Sequence, residues 1–138
     1  MNISARVTNQ SGRHTTAVQT NGREQSLTIP PKPDGFGSGI NGGELLFLAL
    51  ATCYCNDLYR EGRKRGIEIA KVEVEVSGEF GAEGAPAKNI RYRASVDARS
   101  PREAILDLMR HTDTVAEIQN TLRASSPVTL DECETHEI

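Results

Sequence analysis

The feature that most constrains this chain is the proline-free run ELLFLALATCYCNDLYREGRKR over residues 44–65, rich in the helix formers Leu, Ala, Glu, Lys and Arg and followed by Gly66. A run of that kind ending on glycine reads as one long helix with Gly66 just past its C-terminus. What precedes it, PPKPDGFGSGINGG over residues 30–43, carries three prolines and five glycines and reads as a long loop. The first three turns of the helix are apolar on every face, so it is expected to be buried on all sides, with residues 60–65 returning to water. Its apolar core, residues 45–51, is far short of the ~20 residues that cross a bilayer, so the helix has to be wrapped by the rest of the chain.

The wrapper is legible as strands. Ile3, Ala5 and Val7 alternate with polar neighbours, and Asn21-Gly22 between Ala17-Val18 and Leu27-Thr28-Ile29 marks a hairpin with a type I′ turn. After the helix, Val72, Val74 and Val76 alternate with acids, and Ile90, Tyr92, Ala94 and Val96 alternate with Arg91 and Arg93. Paired, these two strands set Glu73 and Glu75 across from Arg91 and Arg93, at roughly 0.2–1 kcal/mol for each opposed pair. Ser100-Pro101-Arg102-Glu103 has the form of a capping box and starts a helix carrying Ile105, Leu106, Leu108 and Met109. His111-Thr112-Asp113 is read as an interruption, Thr114 with Glu117 as a second capping box, and residues 127–130 as a last strand. The expected architecture is α+β with an antiparallel-dominated sheet around a long buried central helix, in the order β-β-β-α-β-β-α-α-β, as a single domain over residues 1–138. A doubly wound nucleotide fold is excluded, since no glycine fingerprint joins a strand to a helix.

Apolar residues make up 37% of the chain and aromatic ones 4%, which leaves a lean core and makes burial against a second copy an expectation. The net charge of −3, with basic residues scattered among acidic ones, gives no concentrated positive field for nucleic acid. No basic and apolar leader opens the sequence, so a cytoplasmic location is expected, and with it free thiols in place of disulfides.

There are three cysteines. Cys53 and Cys55 lie two residues apart on the predicted helix, about 200° around its axis, so they point to nearly opposite sides and cannot join or share one metal. For Cys53, simple packing is the common reading of a helical cysteine; the polar Thr52, Asn56 and Asp57 beside it allow chemistry, which requires a thiolate favoured by a nearby charge or hydrogen bond. Cys133 belongs to a C-x-x-H with His136, two ligands where a structural zinc site takes four. His14 and His111 have no second ligand at useful spacing and are read as surface or capping residues.

The segment GELLFLALATC over residues 43–53, followed by Leu58, by Arg65-Gly66-Ile67 and by a Val/Glu strand, resembles the OsmC/Ohr family of osmotically inducible and organic hydroperoxide resistance proteins. The resemblance runs over most of the chain. It implies an intertwined homodimer, no metal or cofactor, and a reactive helix thiol at Cys53 that attacks an organic hydroperoxide and becomes a sulfenic acid. It further implies an arginine from the N-terminal hairpin, for which Arg13 is the best match and Arg23 the weaker one, and a glutamate at the helix start. Two positions depart from the family pattern. Ala116 stands where the resolving cysteine belongs, and Gly43 where the glutamate belongs, with Glu44 one place along. Two readings follow: a one-cysteine thiol peroxidase recycled by an external thiol reductant, with Cys53, Arg13 and Glu44 as its site; and a non-catalytic dimeric relative that binds a small apolar molecule or a protein partner. A soft-metal or thiol-transfer role for Cys53 with Cys55 or Cys133 is a third, weaker reading.

Overall fold

In the computed structural model, which describes residues 1–138, the elements run β-β-β-α-β-β-α-α, and the chain gathers into two compact units, Met1–Leu46 and Phe47–Ile138.

The first unit is an antiparallel meander of β1 (Ile3–Gln10), β2 (Arg13–Thr20) and β3 (Arg23–Gln25). The expected Asn-Gly turn is present: Asn21 and Gly22 have φ of 48° and 82°, the pair of left-handed residues that type I′ requires. Its outgoing strand stops at Gln25, and Leu27, Thr28 and Ile29 lie outside the ladder. Two successive prolines follow at once and cannot donate to a partner strand, while the Leu27 carbonyl accepts from the Thr16 hydroxyl. The glycine-rich loop is folded on itself. Gly39 N–H donates to the Pro30 carbonyl at 2.7 Å, and the Asn9 side chain clasps Gly37 at both its N–H and its carbonyl, at 3.0 and 3.1 Å.

Asn41 then caps α1 (Gly42–Lys64) by a reciprocal pair: its Oδ1 accepts from Glu44 N–H at 2.9 Å, and Glu44 Oε2 accepts from Asn41 N–H at 2.8 Å. Within the second unit α1 buries one stripe, Leu50, Tyr54, Asp57, Leu58, Glu61 and Gly62, at the spacing of a single helix face. This corrects the expectation of a helix buried all round. Leu48 is 56% exposed in this chain and Tyr59 40%, on the opposite stripe. At the helix end Arg63, Lys64 and Arg65 are exposed as expected, while Glu61 and Gly62 are buried instead of returning to water.

β4 (Glu68–Glu79) and β5 (Lys88–Arg99) form one long antiparallel hairpin. Glu75 faces Arg93 and pairs with it, as the alternation predicts, but Glu73 faces Ser95 and reaches Lys71 on its own strand. The inward Val72, Val74, Tyr92, Ala94 and Val96 pack on the core formed by Tyr54, Leu58, Leu108 and Ala116.

α2 (Arg102–Val115) begins without its expected capping box. The Pro101 carbonyl already accepts from Ala104 and Ile105, at 3.0 and 3.2 Å, so Pro101 holds the cap position and Ser100 lies one residue too early. Nor does His111-Thr112-Asp113 interrupt the helix. Thr112 is fully buried and its hydroxyl donates to the Leu108 carbonyl at 2.8 Å, which lets α2 continue to Val115. The break comes at Ala116, in extended backbone with φ −73° and ψ 107°, before α3 (Glu117–Arg123). Thr114 donates to the His111 carbonyl at 2.7 Å and does not cap α3.

The last expected strand is absent: residues 124–138 form no strand, and Val128 and Leu130 are 100% and 82% exposed. Two apolar residues followed by the acids Asp131, Glu132, Glu134 and Glu137 offer little apolar surface to offset the entropy of ordering an extended segment.

Candidate functional site

Cys53 and Asp57 are one helical turn apart on α1, which puts both side chains on the same flank of the helix. The half-buried Cys53 packs against the core and its thiol donates to Asp57 Oδ2 at 3.4 Å. The bend at buried Ala116 then turns the chain so that α3 opens toward the same spot. Glu117 Oε2 lies 3.9 Å from the Cys53 sulfur.

One cation ties the acids together. Arg60 Nη1 lies 2.8 Å from Asp57 Oδ1 and 3.2 Å from Glu117 Oε1, and its Nε donates to Glu61 Oε1 at 2.9 Å. Glu61 extends the network to Lys64 at 2.8 Å and to His111 at 3.4 Å. The surroundings of the thiol are therefore two carboxylates against one guanidinium.

That balance governs the titration of the site. Burial pushes the Cys53 thiol up and the backbone N–H of Ile118 pulls it down, but the Asp57 charge and hydrogen bond and the Glu117 charge push it up again, and the net direction is upward. Asp57 is also raised: burial and the Glu117 charge outweigh the hydrogen bond from Cys53 and the charge of Arg60. Glu117 is lowered by its own backbone N–H and by Arg60, against the effect of burial. Hydrogen bonds from Lys64 and Arg60 hold Glu61 down to about 2. The site thus favours an S–H proton shared with a carboxylate over a free thiolate.

The Cys53 sulfur and the Asp57 and Glu117 oxygens lie within 4.8 Å of one another, a spacing that three ligands of one metal ion would take. The cation that the two carboxylates hold is the Arg60 guanidinium.

Cys55, on the other side of α1, is half-buried and Cys133 is exposed; all three cysteines are free. Cys133 and His136 lie outside every helix and strand. Ala116, which stands where the family pattern puts a resolving cysteine, is fully buried in the core that Cys53 packs against. Arg13 and Glu44 belong to the first unit. Arg13 opens β2 opposite Gln10 with its side chain exposed, and the Glu44 carboxylate is held at the Asn41 N–H. His14 is half-buried with Nδ1 3.1 Å from the Asn9 amide, and His111 faces Glu61.

Asp57, Arg60 and Glu117 were not picked out as site residues from the sequence. The first two were legible in principle: with Cys53 they stand at i, i+4 and i+7, one face of a helix. Glu117 was not, because its place beside Cys53 comes from the bend at Ala116.

In a search of the curated proteins nothing matches. Among solved structures, an OsmC-like protein from Mycoplasma pneumoniae is 18% identical, with 91% of this chain and 88% of that one covered at a TM-score of 0.61. A putative osmotic stress induced and detoxification response protein from Psychrobacter arcticus 273-4 is also 18% identical, over 85% of each chain at 0.62. An OsmC-like hydroperoxide resistance protein from Jannaschia sp. CCS1 is 13% identical, over 93% of this chain and 90% of that one at 0.53. These similarities show a shared α+β fold. The family model described as OsmC-like protein matches residues 35–131, a span that takes in the capped start of α1, Cys53, Asp57 and the Ala116 bend. The chain belongs to the OsmC-like protein family.

Proposed function

We propose that this protein is a cytoplasmic, homodimeric thiol peroxidase of one-cysteine type, which reduces an organic hydroperoxide at Cys53 and is returned to the thiol by an external thiol reductant. The observation that carries the reading is that Cys53, inside the span the family model matches, is a free, half-buried thiol whose proton has an acceptor at 3.4 Å in Asp57 Oδ2, in a family some of whose members are named for hydroperoxide resistance. No second cysteine is needed. The sulfenic acid formed at Cys53 condenses with one external thiol, releasing water, and a second thiol displaces the mixed disulfide to restore Cys53. Consumption of an alkyl hydroperoxide in the presence of a dithiol is expected for the native protein and lost in Cys53→Ser; equal consumption by both would overturn the reading.

A second reading, a non-catalytic binder of a small apolar molecule, has one specific observation in its favour. A cavity of about 240 Å³ is lined by Leu50, Ile90, Tyr92, Gln119, Leu122 and Arg123, and the buried Gln119 Oε1 has no hydrogen-bond partner. Selective labelling of Cys53 by a thiol reagent within seconds at neutral pH would count against it.

A further inference from the structure

Asp57 is nearly fully buried, its exposure being 5%, yet it is a carboxylate on the one flank of α1 that also carries a thiol. A buried acid is retained at a cost unless its oxygens are satisfied. Both are: Oδ1 by Arg60 at 2.8 Å and Oδ2 by the Cys53 S–H at 3.4 Å. Arg60 fixes the carboxylate and leaves Oδ2 to the sulfur. Such an arrangement is that of a general base, a proton acceptor within contact of the group it deprotonates and oriented by a third residue.

We propose that Asp57 is the catalytic base of Cys53, accepting the thiol proton on Oδ2 as the sulfur attacks and returning it to the leaving group. The assignment rests on the reading of Cys53 as the reacting thiol. With a hydroperoxide the step balances as follows. The S–H proton moves to Asp57, sulfur bonds to the terminal hydroperoxide oxygen, and the O–O bond breaks. The departing alkoxide takes the proton back from Asp57 and leaves as an alcohol. Sulfur is oxidised by two electrons to S–OH, the peroxide is reduced by two, and Asp57 ends as a carboxylate. Asp57 thus lets a thiol that is un-ionised near neutrality react there.

The charged and titratable groups that face Asp57 are Cys53 and Arg60 on its own helix and Glu117 from α3. This makes the alternative role of Asp57 specific: as a bare negative charge it would only hold the thiol proton in place. The two roles predict opposite signs for one substitution. If Asp57 is only a charge, Asp57→Asn removes a repulsion and speeds alkylation of Cys53 at every pH below the ionisation of the thiol. If it is the base, Asp57→Asn slows alkylation at about pH 6, between the ordinary carboxylate and thiol ranges, and leaves it equal or faster at about pH 10.

The experiment is the pH profile of Cys53 alkylation by iodoacetamide, followed by mass spectrometry of the Cys53 peptide in the full chain and in Asp57→Asn. A loss of about tenfold or more at the lower pH, with no loss at the higher, is the expected result. An unchanged or faster rate at the lower pH would overturn the assignment. Should Asp57→Asn fail to fold, the native protein decides alone: a normal solvent deuterium isotope effect on alkylation below neutrality supports the base, and none or an inverse one overturns it. Alkylation settles the role of Asp57, and hydroperoxide consumption by the same samples settles the peroxidase reading separately.

Discussion

Glu61 shows how one side chain can couple the stability of this protein to pH. It is buried at the end of α1, with Lys64, Arg60 and His111 around its carboxylate, and is held down to about 2. A carboxylate lowered on folding contributes stability that is present above its ordinary value of 4.5 and is lost as the pH falls from there toward 2. Glu61→Gln is therefore expected to lower the urea midpoint at pH 7 and to flatten the fall in stability across that acid window. A variant with the native acid profile would show that Glu61 is not the group concerned. The same residue marks where reading at this scale fell short. A cationic helix end, RKR over residues 63–65, is an ordinary solvated terminus by composition, and the burial of the glutamate beside it depends on α2 supplying His111. Cys53 and the Asn41–Glu44 start of its helix lie in contiguous sequence; the partner that distinguishes Cys53 from Cys55, Glu117, stands 64 residues away.

Among the elements, the contact of α1 with the β4–β5 hairpin is set by what is missing at Gly78. A methyl group there would lie 2.6 Å from Phe47 Cζ and 3.3 Å from Ile90 Cγ1. The Phe47 ring also packs on Phe80, with centroids 5.8 Å apart, so it cannot swing away without breaking a second contact. Gly78→Ala is expected to destabilise the protein by roughly 1–3 kcal/mol, as overpacking does, measured by equilibrium urea unfolding. Gly81→Ala, where nothing lies within 4 Å, serves as the neutral control. Strand alternation made β4 and β5 legible because period two is a local property. The helix caps were not: Ser100 and Thr114 both carry the residue pattern of a box, but Pro101 and Ala116 hold the cap positions. Which carbonyl first accepts a helical N–H is settled by backbone angles that residue type only biases.

For the whole molecule, the order of the first eight elements followed from pattern, and the ninth did not, because residues 127–130 offer only Val128 and Leu130 as apolar surface to set against the entropy of ordering them. Burial was the second discrepancy. Apolar residues all round α1 predicted a sealed helix, whereas in this chain Leu48 and Tyr59 face outward, and on the first unit Ile3 and Val7 are 65% and 62% exposed. Apolar surface of that kind is what a second copy would cover in the proposed homodimer. Light scattering is expected to return twice the chain mass; a monomer mass across the micromolar range would refute the dimer. Replacing Leu48 with Glu should shift the same measurement toward the monomer, since it buries a charge at the proposed contact.

The pairing of the strands has a kinetic meaning. Each ladder joins strands that are neighbours in sequence, β1 with β2, β2 with β3 and β4 with β5, so no sheet contact waits on a distant part of the chain. The entropy of loop closure is met in short steps, and each hairpin can nucleate on its own before α1 has anything to pack against. The contact of Glu117 with Cys53 is of the other kind: it spans 64 residues, so the environment of the thiol carries a loop-closure cost that neither sheet has to meet.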